Sequence, residues 1–99
     1  AIRIYPNPGR GPFYLDVEHN AAGDSLEVEW TVHAPDGQQI FYQSWSGVSA
    51  SAVLQSVQWD GSDGRGHLMP AGWYVARVRV RRRSDGQTVH AAERVILLH

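Results

Sequence analysis

Leu26, Val28, Trp30 and Val32 alternate with Glu27, Glu29, Thr31 and His33, a two-residue period that predicts a strand with one face buried and one in water. The same period recurs along the chain. Ile2 and Ile4 open a short strand that stops at "YPNPGRGP", where prolines and glycines oppose regular pairing. Phe13, Leu15 and Val17 alternate with Tyr14, Asp16 and Glu18. Pro35, Asp36 and Gly37 supply a turn into a strand expected over 38–45, and a polar loop is expected over 46–51. A further strand is expected near 53–59 and another over 73–81, with Tyr74, Ala76, Val78 and Val80 on one face and Arg77, Arg79 and Arg81 on the other. Ser84, Asp85 and Gly86 turn the chain into a final strand within 88–98.

No long stretch keeps a helical apolar period without Gly or Pro breaking it. Seven short strands joined by Gly, Pro and Asp turns predict an all-β, immunoglobulin-like antiparallel β-sandwich. With 99 residues, one domain spanning 1–99 is expected, and 42% hydrophobic against 19% charged residues is a globular balance. No signal-peptide pattern is visible, and the chain is expected to be the C-terminal fragment of a larger exported protein. The longest apolar run, at 95–98, is far too short for a transmembrane segment.

Charge and chemistry narrow the reading. A formal charge of −1 argues against nucleic acid as the main partner, although all nine basic residues are arginines and "RVRVRRR" concentrates them at 77–83. Outward-facing Glu27 and Glu29 are expected beside that run, making a cross-strand charge ladder whose pairs contribute about 0.2–1 kcal/mol each. Cysteine is absent, so thiol nucleophiles, thiolate metal sites and disulfides are excluded. "WSGVSAS" is not a nucleophile elbow, because neither the G-x-S-x-G spacing nor a strand–turn–helix context surrounds it. His19, His33, His67, His90 and His99 are scattered without metal-ligand spacing and are expected on outer faces, in turns or at the terminus. No catalytic residue, cofactor or metal is expected.

"VQWDGSDGRGHLMPAGWY" at 57–74 is the stretch that asks for chemistry. As a calcium loop it is poor: Asp60 and Asp63 lie three apart rather than alternating, and no Glu follows before Glu93. As a demanding turn it is complete. Asp side chains bond nearby backbone N–H groups, glycines take positive φ, and Trp59 and Tyr74 anchor the two ends. Of the four tryptophans, Trp30 and Trp59 share the phase of core residues. Trp45 and Trp73 are out of phase or at strand ends, so they are the candidates for a surface recognition platform.

Taken in order, "YPNPGRG", "WDGSDGRG", "PAGWYVARV" and "ERVILL" resemble the FlgD-like immunoglobulin domain, and also the C-terminal domains of type IX secretion cargo and of the sortase of that system. The resemblance spans nearly the whole chain. It implies a non-catalytic β-sandwich in which Pro6, Asn7, Pro8, Trp59, Asp60, Gly61, Asp63, Gly66, Pro70, Gly72 and Tyr74 form a structural signature. One departure stands out: type IX signals commonly carry Lys in the closing strand, where this chain has Arg94. The implied role is an accessory domain of an exported or cell-surface bacterial protein, recognised by secretion or anchoring machinery or by upstream domains of its own chain. The alternatives are a carbohydrate-binding module using Trp45 or Trp73 and an assembly domain like that of a flagellar hook cap.

Overall fold

Leu26, Val28, Trp30 and Val32 are at most 2% exposed along Ser25–His33 (β3), while every intervening residue is half-buried, so the period read from the sequence is the period of burial. The computed structural model describes residues 2–18, 23–48 and 53–98. Around β3 lie Ile2–Tyr5 (β1), Phe13–Glu18 (β2), Gln39–Val48 (β4), Val53–Trp59 (β5), Gly72–Arg82 (β6) and Thr88–Leu97 (β7). They form two antiparallel sheets, ordered β1-β2-β5 and β4-β3-β6-β7, facing each other as the expected β-sandwich.

In the constant-type immunoglobulin arrangement the fourth strand joins the first, second and fifth. Here β4 joins β3 instead, and the turn between them supplies the reason. Ala34 N donates to Gln38 O at 2.9 Å, Gly37 N to Ala34 O at 2.9 Å, and Gln38 N to Asp36 Oδ1 at 3.0 Å. So tight a turn returns the chain directly onto β3, as a hairpin does. Pairing continues from His33↔Gln39 to Ser25↔Val48. The loop expected from residue 46 therefore starts later: Ser46, Gly47 and Val48 are strand, because Glu27, Leu26 and Ser25 supply their backbone partners. The remainder of that expected loop, 49–51, lies outside the described residues, as do His19 and His99.

The core holds Ile4, Phe13, Leu15 and Val17 from the smaller sheet against Leu26, Trp30, Val78, Val95 and Leu97 from the larger. Each fully buried aliphatic or Phe side chain contributes about 1.5–3 kcal/mol relative to exposure. Trp59 is fully buried at one end of this core. Its ring centroid lies 5.3 Å from Phe13, 5.8 Å from Tyr74 and 6.1 Å from Phe41. The edge strands are β4 and β5 on one flank of the sandwich and β1 and β7 on the other.

Candidate recognition surfaces

Asp60 and Asp63 each bond their own loop through Oδ1. Asp60 Oδ1 accepts from Ser62 N at 2.9 Å and from the Ser62 hydroxyl at 2.5 Å. Asp63 Oδ1 accepts from Arg65 N at 2.8 Å and His67 N at 2.9 Å. These donors hold both carboxyl groups below the ordinary Asp range, Asp60 through the Ser62 hydroxyl and amide, Asp63 through the His67 and Arg65 amides. The backbone closes around them: Asp63 N reaches His67 O at 2.8 Å, Gly66 N reaches Asp63 O at 3.1 Å, and Met69 N reaches Gly61 O at 2.9 Å. Among the described residues, no three of His, Asp and Glu gather closely enough to hold a metal ion.

The flanking residues fasten this loop to the core. Trp59 Nε1 donates to Ser62 O at 2.8 Å, so the buried indole satisfies its one donor on the loop it precedes. Tyr74, near the start of β6, donates its hydroxyl to Pro70 O at 2.5 Å, the geometry of a tyrosine corner. Burial pushes the Tyr74 hydroxyl pKa up. Gly61 is buried with φ at 86°, a conformation that favours glycine, and a Cβ there would lie 3.2 Å from Leu97 Cδ1, which would have to give by a few tenths of an ångström. Gly66 turns the exposed tip and Gly72 begins β6.

"PNP" has a role that its composition did not disclose. Asn7 lies beside the edge of β7 and imitates a neighbouring strand: its Oδ1 accepts from Ile96 N at 3.0 Å and its Nδ2 donates to Arg94 O at 2.8 Å. Gly9 continues the mimicry, donating to Ile96 O at 3.1 Å and accepting from Leu98 N at 2.7 Å. Pro6 and Pro8 flank Asn7 and lack donors that would otherwise need partners. The segment expected to oppose pairing thus makes one isolated parallel bridge, Gly9↔Leu97.

Trp45 and Trp73 are not brought together. Trp45 pairs across from Val28 on the inner face, is half-buried, and packs against the core, so its expected phase is corrected. The bulge that shifts register between Val32 and His33 hid this phase by inserting Ile40 beside Phe41. Trp73 precedes core-facing Tyr74, points outward and is 42% exposed, with the Arg94 guanidinium 5.0 Å from its ring centroid. A sugar platform made of both rings is absent, because they lie on opposite faces of one sheet.

The basic run is largely neutralised. Register sets Glu27 opposite Arg81 and Glu29 opposite Arg79. Arg79 meets Glu29 at 2.9 Å, while Arg81 and Arg83 meet Glu27 at 3.3 and 3.0 Å, holding the Glu27 carboxyl below its ordinary range. Arg82 pairs with Asp85 at 2.8 Å. Such a face of alternating sign is a poor phosphate track. His67 is exposed beside Asp63 and His90 is exposed on β7, but His33 is half-buried with an unpartnered Nδ1, unlike the solvated residue expected.

A feature not anticipated is an open groove of about 830 Å³ between this loop and the start of β4, lined by Gln39, Phe41, Tyr42, Gln58, Asp60 and Arg65. Its walls come from two distant segments, 38–42 and 58–69, so no local motif announces it. Among the described residues, no helix is long and apolar enough to cross a membrane.

No family model and no curated protein matches the sequence. Among solved structures, the fold is similar to a part of dimeric latent PorU from Porphyromonas gingivalis, with a TM-score of 0.79 and 23% sequence identity. That match covers 98% of this chain and 9% of the PorU chain. Nearly the whole chain therefore shares its fold with one small portion of a much longer protein.

Proposed function

We propose that the chain is a non-catalytic accessory domain of an exported bacterial surface protein, acting in type IX secretion, sorting or surface attachment by protein–protein recognition. The observation that carries the reading is the correspondence of 98% of this chain to 9% of PorU, the relation of a module to a multidomain parent. The non-catalytic part of the reading is supported by the bonding of Asp60, Asp63, Trp59 and Tyr74 within the loop and its anchors. Recognition then falls to sheet edges and outer faces.

The test fuses residues 1–99 behind a reporter carrying a periplasmic export signal in a type IX-competent host. The reporter is expected at the cell surface or in the medium. Retention in the periplasm overturns autonomous sorting.

A further inference from the structure

β7 ends its sheet, and its outer edge is covered over only half its length. Asn7 and Gly9 take up the backbone groups of Arg94, Ile96 and Leu98. In an antiparallel strand, alternate residues turn both backbone groups toward the same side. The β6–β7 register is unbroken from Gly72↔Leu97 to Arg81↔Thr88, so Thr88, His90 and Ala92 direct their N–H and C=O groups off the same edge. Among the described residues no strand pairs with them there. Edges are commonly blunted by Lys, Pro or a bulge, and "TVHAA" at 88–92 contains none of these.

A hollow of about 250 Å³ lies on each side of this stretch. The inner one, between β1 and β7, is lined by Ile2, Ile4, Ala76, Val78, Ala91 and Glu93, the last contacted by Asn7 Nδ2 at 3.4 Å, and Val89 nearby is 54% exposed. The outer one is lined by Glu29, Thr31, Arg77, Arg79, His90 and Ala92, with Glu29 held by Arg79 at 2.9 Å. Ala91 and Ala92 leave this room because their side chains are short. Across the strands, Arg79 and Arg81 face Glu29 and Glu27, but Arg77 faces Thr31 on one side and Ala92 on the other. No carboxylate is within ion-pair reach of Arg77 among the described residues.

We propose that residues 88–92 accept an extended segment of a partner protein by strand addition. Apolar side chains of that segment enter the hollow beside Ala91, and alternate acidic side chains lie on the outer face against Arg77. Main-chain bonds to Thr88, His90 and Ala92 supply affinity, and the two hollows read side chains of opposite character, as strand addition ordinarily divides the work. The inference rests on the recognition reading above and names its surface and the chemistry of its partner.

The probe is an acetylated, amidated peptide of alternating Val and Glu, with a Val–Lys peptide as control, titrated into the isotope-labelled chain by amide NMR. Saturable shifts and slowed hydrogen exchange are expected at Thr88, His90 and Ala92 with the acidic peptide. Arg77→Glu should reverse the preference between peptides, and Arg77→Ala should weaken the acidic peptide about fivefold. Ala91→Leu, which fills the inner hollow, should abolish binding while the thermal midpoint stays at or above that of the wild type. The proposal is overturned by no saturable shift at 88–92, by binding indifferent to Arg77→Glu and Ala91→Leu, or by self-association through this edge in place of peptide binding. Peptide failure with normal delivery of the reporter fusion removes this edge and leaves the recognition reading standing. Peptide binding with a retained reporter keeps this edge as a recognition surface and removes autonomous sorting.

Discussion

Replacing Asn7 by Ala removes a side chain that serves as a strand. It deletes the acceptor for Ile96 N at 3.0 Å and the donor to Arg94 O at 2.8 Å, together with a longer contact to Glu93 Oε1 at 3.4 Å. Each well-formed neutral bond is worth about 0.5–1.5 kcal/mol net. Both partners lie at an exposed edge and regain water, so the loss should total about 1–2 kcal/mol, without the penalty of a buried orphan. In a domain of this size each kcal/mol moves the thermal midpoint by about 4–8 °C. The assay is thermal and urea unfolding followed by tryptophan emission, with amide exchange read at Ile96. The urea midpoint should fall with little change in slope, and Ile96 should lose protection. Asn7→Asp separates bonding from shape: it keeps the acceptor for Ile96 N but turns a carboxylate toward Arg94 O and Glu93, so at neutral pH it should be no more stable than Asn7→Ala. An unchanged midpoint and unchanged Ile96 exchange in Asn7→Ala, or a wild-type midpoint in Asn7→Asp, would refute the reasoning.

Other outcomes follow from the same geometry. Tyr74→Phe keeps the buried ring and loses the bond to Pro70 O, and should cost about 0.5–1.5 kcal/mol in denaturant titration. Gly61→Ala meets positive φ and a 3.2 Å contact with Leu97, and should cost about 1–3 kcal/mol, more than Gly66→Ala, where φ is positive but space is open. The carboxyl pKa values of Asp60, Asp63, Asp85 and Glu27 are all lowered in the folded chain. The unfolded chain therefore takes up protons first, so the stability these groups confer is complete above the ordinary values, about 3.9 for Asp and 4.3 for Glu. It is lost as pH falls through the lower folded values, and unfolding measured between neutral pH and acid should show a shallower acid loss in Asp63→Asn. Glu29→Gln should cost no more than about 1 kcal/mol, an effect that high salt erases.

The strands were legible where one face is buried and the other wet. β3 alternates without fault and β6 nearly so, and the phase of Trp30 and Trp59 followed directly from their neighbours. β4 was legible as far as Trp45, but its phase and its last three residues were not. Gln43 stands opposite Trp30 in an inward phase, the bulge at Ile40 breaks the alternation, and Ser46 looks like a loop residue although it pairs with Glu27 of β3. Local bonding by Asp60 and Asp63 could be foreseen, because Asx turns need only residues two to four positions away. The position of Asn7 against Arg94 and Ile96 could not, since a separation of nearly the whole chain leaves no local signal. The groove beside Tyr42 and the hollows beside Ala91 and Ala92 arise from packing between segments, which periodicity does not encode.

The central claim is that the aspartates and glycines of 60–72 are consumed in shaping the chain, leaving recognition to the sheet edges. Amide NMR of the domain in excess calcium and then in chelator tests it most directly. Superimposable resonances for Ser62, Arg65 and His67, the amides bonded to Asp60 and Asp63, are the predicted result. A saturable, chelator-reversible shift of those three would contradict the account.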